Sequence, residues 1–241
     1  MKKIIFILLM VISSLSFAKT AQEIIDMVDY NMYPKTAIYT GEMIIHKNNK
    51  DYTKKFRSYN VGEKKSFMEF LYPPRDKGTK YLRIDDNLWM YLPKANRTIK
   101  IAGHMLKQSM MGSDISYEDQ TDRTKLNDLY NSKILKEDNK YYYIEMVAKP
   151  DTEVTYYKRI VTIEKDTYVF KSQEMYANSG KLLKVMEVEK YQKIGDRYYM
   201  TEFKMSDKLK QNTYTKIVIT DIQLDIDIDE NIFTIKNLEK R

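Results

Sequence analysis

Asp114, Glu118 and Asp119, with Asp122 close behind, are the densest run of carboxylates in the middle of this 241-residue chain. Acids at such density can hold a calcium ion or act as an acid–base pair. Their spacing misses the EF-hand loop, which alternates its acids around a central glycine. Loop carboxylates that cap short helices, or pair with Lys107 and Arg123, fit better. His46 and His104 lie far apart and show no HExxH or related spacing, so no metal site is expected. Met105, Met110 and Met111 loosely match a thioether-rich copper(I) site, but only His104 stands near them and there is no cysteine. Ser109 lacks the GxSxG elbow of a hydrolase nucleophile. Gly78, Gly103 and Gly112 form no nucleotide-binding pattern. The expectation is a non-enzyme without a cofactor.

The chain around these residues sets where they work. Lys2 and Lys3 precede an apolar run from Ile4 to Ile12, and Ser16-Phe17-Ala18 puts small residues where a signal peptidase reads. That is the pattern of a secretory signal peptide over 1–18, too short for a membrane span. It leaves a single domain, 19–241, outside the cytoplasm. Without cysteine the fold has no disulfide and the mature terminus no cysteine-linked lipid. The formal charge of +7 becomes +5 once Lys2 and Lys3 are gone. Lysines interspersed with acids, and no arginine-aromatic patch, argue against nucleic acid as a partner and leave room for transient contact with anionic lipid. The 21 Tyr, 15 Met and 8 Phe favour large sheets, or a surface that grips something greasy and variable.

Thr20 to Tyr33 has a capping box, Thr20 with Glu23, and a stripe of Ile24, Val28 and Met32, which predicts a helix ended by Pro34. Strands are predicted at 38–46, 52–59, 65–72, 79–84, 88–92 and 97–101, and again at 134–137, 141–149, 156–164, 168–176, 182–191, 198–206 and 214–223. Between the two sets the pattern fails over 102–130, where short helices are expected near 104–110 and 123–129. A long irregular insertion of this kind often carries function. Residues 226–238 read as a short edge strand or as a clamp across the sheet. In 65–72, Phe67 and Leu71 face one way and Met68 and Phe70 the other, so both faces are partly dry. Which parity points inward is not legible. So long a sheet must curl, with the first helix and the insertion as its plugs.

Three stretches carry a family resemblance: Gly78-Thr79-Lys80-Tyr81-Leu82, Asn87-Leu88-Trp89-Met90-Tyr91-Leu92-Pro93, and Ser109-Met110-Met111-Gly112-Ser113-Asp114-Ile115-Ser116-Tyr117-Glu118-Asp119. With Ile99-Lys100-Ile101, and the order of leader, helix, strands, insertion and strands, they resemble the periplasmic outer-membrane lipoprotein-sorting proteins. These form the LolA/LolB-like superfamily, and the likeness is to its soluble, less characterised branch. The resemblance implies a mainly β fold: a strongly curved, unclosed antiparallel β-barrel of about eleven strands covered by short helices. It implies a periplasmic carrier that holds acyl chains of a lipoprotein, or another lipid, in a hydrophobic cavity. Its partners would be an inner-membrane transporter and an outer-membrane acceptor. On this basis Phe67, Leu82, Trp89, Tyr91 and Met146 are expected in the cavity wall. Met105, Leu106, Met110 and Met111 are expected to form a lid, positioned by Asp114, Tyr117, Glu118 and Asp119. The alternative function is an envelope stress or lipid sensor that binds a partner protein on the same fold. An exported enzyme using the acidic loop is the remaining class.

Overall fold

The computed structural model describes residues 19–121 and 124–240, so the leader, Asp122 and Arg123 lie outside the described residues. The first helix, α1 (Ala21–Met32), starts at the predicted capping box: the Thr20 side chain accepts from the Glu23 backbone N–H, and the Glu23 carboxylate accepts from the Thr20 N–H. Ile24, Ile25 and Val28 are its buried face.

Six strands follow: β1 (Thr36–Lys47), β2 (Lys50–Val61), β3 (Lys65–Tyr72), β4 (Lys80–Ile84), β5 (Asn87–Leu92) and β6 (Arg97–Ile101). The insertion comes next, with two 3₁₀ turns at Gly103–Lys107 and Met110–Gly112 and two short helices, α2 (Tyr117–Thr121) and α3 (Leu126–Leu129). Seven more strands complete the sheet: β7 (Tyr130–Glu137), β8 (Tyr141–Ala148), β9 (Lys158–Glu164), β10 (Phe170–Tyr176), β11 (Leu182–Ile194), β12 (Arg197–Asp207) and β13 (Thr213–Leu224).

All thirteen strands join one antiparallel sheet in the order β6-β5-β4-β3-β2-β1-β13-β12-β11-β10-β9-β8-β7. The sheet is therefore wider than the expected eleven strands, because every segment with strand patterning in the sequence joins it. Its two halves are meanders sewn together by β1 against β13, and β6 and β7 remain as unjoined edges, so the barrel is open. Among the described residues no helix is long and apolar enough to cross a membrane.

Two apolar cores lie on opposite faces. The larger fills the concave side, where α1 and the insertion pack against Met43, Phe56, Phe70, Tyr81, Ile144, Met146, Val161 and Ile217. The smaller lies behind β3 to β5, where the C-terminal segment covers Phe67, Leu82 and Tyr91 with Phe233 and Leu238. That segment is a 3₁₀ turn (Glu230–Phe233) and α4 (Ile235–Leu238), so it is the clamp and not the edge strand of the two expectations. Thr98 Oγ1 donates to Glu239 at 2.8 Å, and Lys80 reaches the Lys240 carbonyl. Gly41 of β1 faces Phe56 of β2, whose ring lies where a side chain would be: a Cβ there would meet Phe56 Cζ at 2.5 Å. The glycine thus lets an aromatic ring lie flat on the concave face.

Asp29 ties α1 to the end of the insertion. It is buried, and its carboxylate accepts the backbone N–H groups of Leu126 at 3.1 Å and Asn127 at 3.3 Å. Burial pushes its pKa up to about 6 from 3.8 against the pull of those two donors. The folded state therefore binds the proton more tightly than the unfolded chain. This contribution to stability is complete below 3.8 and is lost as pH rises through about 6. Lowering the pH from about 7.5 to about 5 should gain roughly 1 kcal/mol through this group. Denaturant midpoints at the two values check it, because the gain should be missing in Asp29→Asn.

Candidate functional site

Between the sheet, α1 and the insertion the concave core leaves a cavity of about 260 Å³. Its wall is built by alternate residues of neighbouring strands: Met43 from β1, Phe56 from β2, Met68 from β3, Met186 from β11, Phe203 and Met205 from β12, and Ile217 and Ile219 from β13. Val28 and Met32 of α1 and Met110 and Ile115 of the insertion close it from the other side. Seven of the chain's 15 methionines line this one space. Tyr33, Tyr39, Tyr168, Tyr198 and Tyr199 add aromatic edges. Unbranched thioethers adapt to irregular contents. Among the described residues no lysine, arginine or histidine lines the space.

Asn31 and Asp119, two of the polar side chains that reach it, are held by protein partners. Asn31 donates to the Thr167 carbonyl at 2.8 Å and accepts from the Tyr198 N–H at 2.9 Å. Asp119 accepts from the Ser116 N–H at 2.7 Å, from Ser116 Oγ at 2.9 Å and from Tyr156 OH at 2.5 Å, and it is ion-paired with Lys184 of β11. Lys184 donates also to Ser116 Oγ at 3.1 Å. Behind this pair the Tyr130 hydroxyl donates to the Tyr156 carbonyl at 2.7 Å and accepts from Arg159 Nε at 3.0 Å. Asp114 is buried against the far end of the sheet, where its carboxylate accepts from Thr213 Oγ1 at 2.7 Å and Thr215 Oγ1 at 2.9 Å. Tyr117 packs on Tyr81 with ring centroids 5.9 Å apart, and burial, with Tyr117 beside it, pushes the Tyr81 hydroxyl up. The acidic run is thus spread among separate partners, and among the described residues no three His, Asp or Glu converge on a metal position.

The structure separates the wall residues expected from the sequence. Phe67, Leu82, Trp89 and Tyr91 face away from the cavity, into the small core under the C-terminal clamp. Met146 is on the concave side but packed solid in the main core and does not reach the cavity. The strand parity is the reason: β3 to β5 are dry on both faces, so Met68, Phe70, Tyr81 and Met90 look inward while their neighbours look out. Of the four residues expected in the lid, Met110 lines the cavity, while Met105, Leu106 and Met111 pack against the main core from outside. Met111 and Gly112 take positive φ, +53° and +81°, and this tight turn drives Met110 inward. Asp119 borders the cavity, Asp114 and Glu118 line a separate hollow beside Tyr156 and Lys184, and Tyr117 packs in the main core. The methionines of β11 and β12 were missed; a signal was present in Phe203 and Met205, apolar at alternate positions.

A family model described as "-like: Uncharacterized protein" matches residues 62–240. The chain belongs to that family. No curated protein matches it. Among solved structures it is similar to a DUF1329 family protein from Desulfovibrio piger, at 23% identity and a TM-score of 0.82, covering 92% of this chain and 100% of that one. A putative outer membrane lipoprotein-sorting protein domain from Vibrio parahaemolyticus matches at 22% identity and 0.79, over 91% and 98% of the two chains. A LolA superfamily protein from Nitrosomonas europaea matches at 22% identity and 0.75, over 91% and 100%. At these identities the likeness is one of fold, and the fold is that of the LolA superfamily.

Proposed function

We propose that the protein is a soluble periplasmic carrier that holds acyl chains of a lipoprotein, or of another lipid, in the concave cavity on the way to the outer membrane. The observation that carries this reading is the cavity itself: apolar, rich in methionine, and bounded on one side by an irregular insertion. An apolar cavity of about 150 Å³ already accepts benzene, so a space of about 260 Å³ takes a stretch of hydrocarbon chain without rearrangement. Each methylene moved out of water contributes roughly 0.8 kcal/mol. The leader-like sequence over 1–18 and the LolA-like fold both support work in the periplasm. Release then needs the insertion to swing away, with Asp114 and Asp119 as the polar anchors that hold it closed. An inner-membrane donor and an outer-membrane acceptor would complete the route.

Mass spectrometry of organic extracts from the gently purified mature protein tests the reading, and a lipid in stoichiometric amount is the expected result. Met200→Glu places a charge in the half-buried part of the wall and should abolish that lipid. Trp89→Ala, behind the sheet, should retain it. The opposite pattern would move the site to the other face. A tightly bound polypeptide in place of lipid would favour the sensor on the same fold.

A further inference from the structure

We propose that the methionine wall is a site of reversible oxidation, so that an oxidant empties the cavity and reduction restores it. The inference rests on the carrier reading and extends it to control. Three of the lining methionines, Met32, Met68 and Met200, are half-buried and border the cavity, so a small oxidant that enters the space meets their sulfurs. The chain has no cysteine to react first. Met27, on the solvent side of α1, is the exposed methionine among the described residues at 38%; it does not line the cavity and serves as an internal control.

The chemistry balances with a peroxide as oxidant. A thioether sulfur attacks one peroxide oxygen, the O–O bond breaks, and the second oxygen leaves as water after taking a proton. Sulfur gains one oxygen and gives up two electrons. A thiol reductant working through a methionine sulfoxide reductase returns those electrons, and the oxygen leaves as water. The sulfoxide is polar and strongly accepting. In a wall made mostly of hydrocarbon and thioether, an apolar guest must then lie against a strong dipole. That disfavours a hydrocarbon guest far more than it disfavours an empty, wet cavity.

The test uses the full mature chain and phenylnaphthylamine, an uncharged fluorescent probe for apolar cavities. Peroxide treatment to one sulfoxide at each of Met32, Met68 and Met200, located by peptide mass spectrometry, should weaken probe binding at least about tenfold. Methionine sulfoxide reductase should restore it. In the Met32→Leu/Met68→Leu/Met200→Leu variant, close in volume, the same treatment should leave probe affinity at the variant's own untreated value. Met27→Leu should behave as the parent. Unchanged affinity with sulfoxide at the three positions would overturn the proposal, as would oxidation confined to Met27. Loss of near-ultraviolet dichroism on oxidation would also overturn it, since unfolding would then be the cause. A protein that binds no probe even when reduced removes the carrier reading itself, a result distinct from all of these.

Discussion

Lys184→Met should destabilise the protein by about 3–5 kcal/mol, the cost of breaking a buried ion pair from one side. The Lys184 and Asp119 side chains are only 9% and 11% exposed, and with the ammonium gone the Asp119 carboxylate keeps Ser116 and Tyr156 but loses its cation partner among the described residues. Unpaired charge in such a place is far more costly than an unpaired neutral group. The double variant Lys184→Met/Asp119→Leu removes both charges and should recover most of the loss, because a buried pair adds little over an apolar replacement. Urea midpoints for the two single variants and the double variant complete the cycle. Each single variant should also expose the 103–121 segment to limited proteolysis, since the pair joins the insertion to β11 and nothing covalent lies near. Single-variant losses below about 1 kcal/mol would show that the pair does not hold the insertion down.

The C-terminal clamp should matter as much, and by a different route. Leu238 is fully buried and Phe233 nearly so, packed on Phe67, Leu82 and Tyr91 across the back of β3 to β5. Leu238→Ala should cost about 2–5 kcal/mol and Phe233→Ala about 3–5 kcal/mol. Both variants should bind a dye for exposed apolar surface, because Phe233 and Leu238 are packed on the back of β3 to β5 in that core. Lipid retention should survive in whatever fraction stays folded, since the clamp and the cavity lie on opposite faces. Loss of lipid at full foldedness would mean that the two cores communicate through β3 to β5.

The elements were largely legible in the sequence. The capping box at Thr20 and Glu23 marks the start of α1, and Pro34 its end, because both act through local backbone groups. Each segment read as a strand is a strand, and the break in the pattern after Ile101 is the insertion, since hydrophobic alternation and turn residues are local signals as well. The open, curled sheet was implied by the resemblance of the central stretches, and it is the fold found. None of this needs knowledge of distant neighbours.

What the tertiary structure alone decided is which side of the sheet is the inside. In β3 to β5 both faces are apolar, and one parity belongs to the cavity side and the other to the clamp. Alternation says that Phe67 and Met68 point opposite ways; it carries no label for what covers each. That label comes from segments remote in the chain, α1 and the insertion on one face and residues 230–238 on the other. The wall residues Phe67, Leu82, Trp89 and Tyr91 were therefore assigned to the wrong face, and Met186, Met200 and Met205, far along the chain, were left out. The partners of the acidic run show the same physics: Asp119 meets Lys184 and Asp114 meets Thr215 only when the two halves of the sheet close on the insertion. A local code sets strands and caps. The contents of a concavity are set by which distant surfaces the fold brings over it.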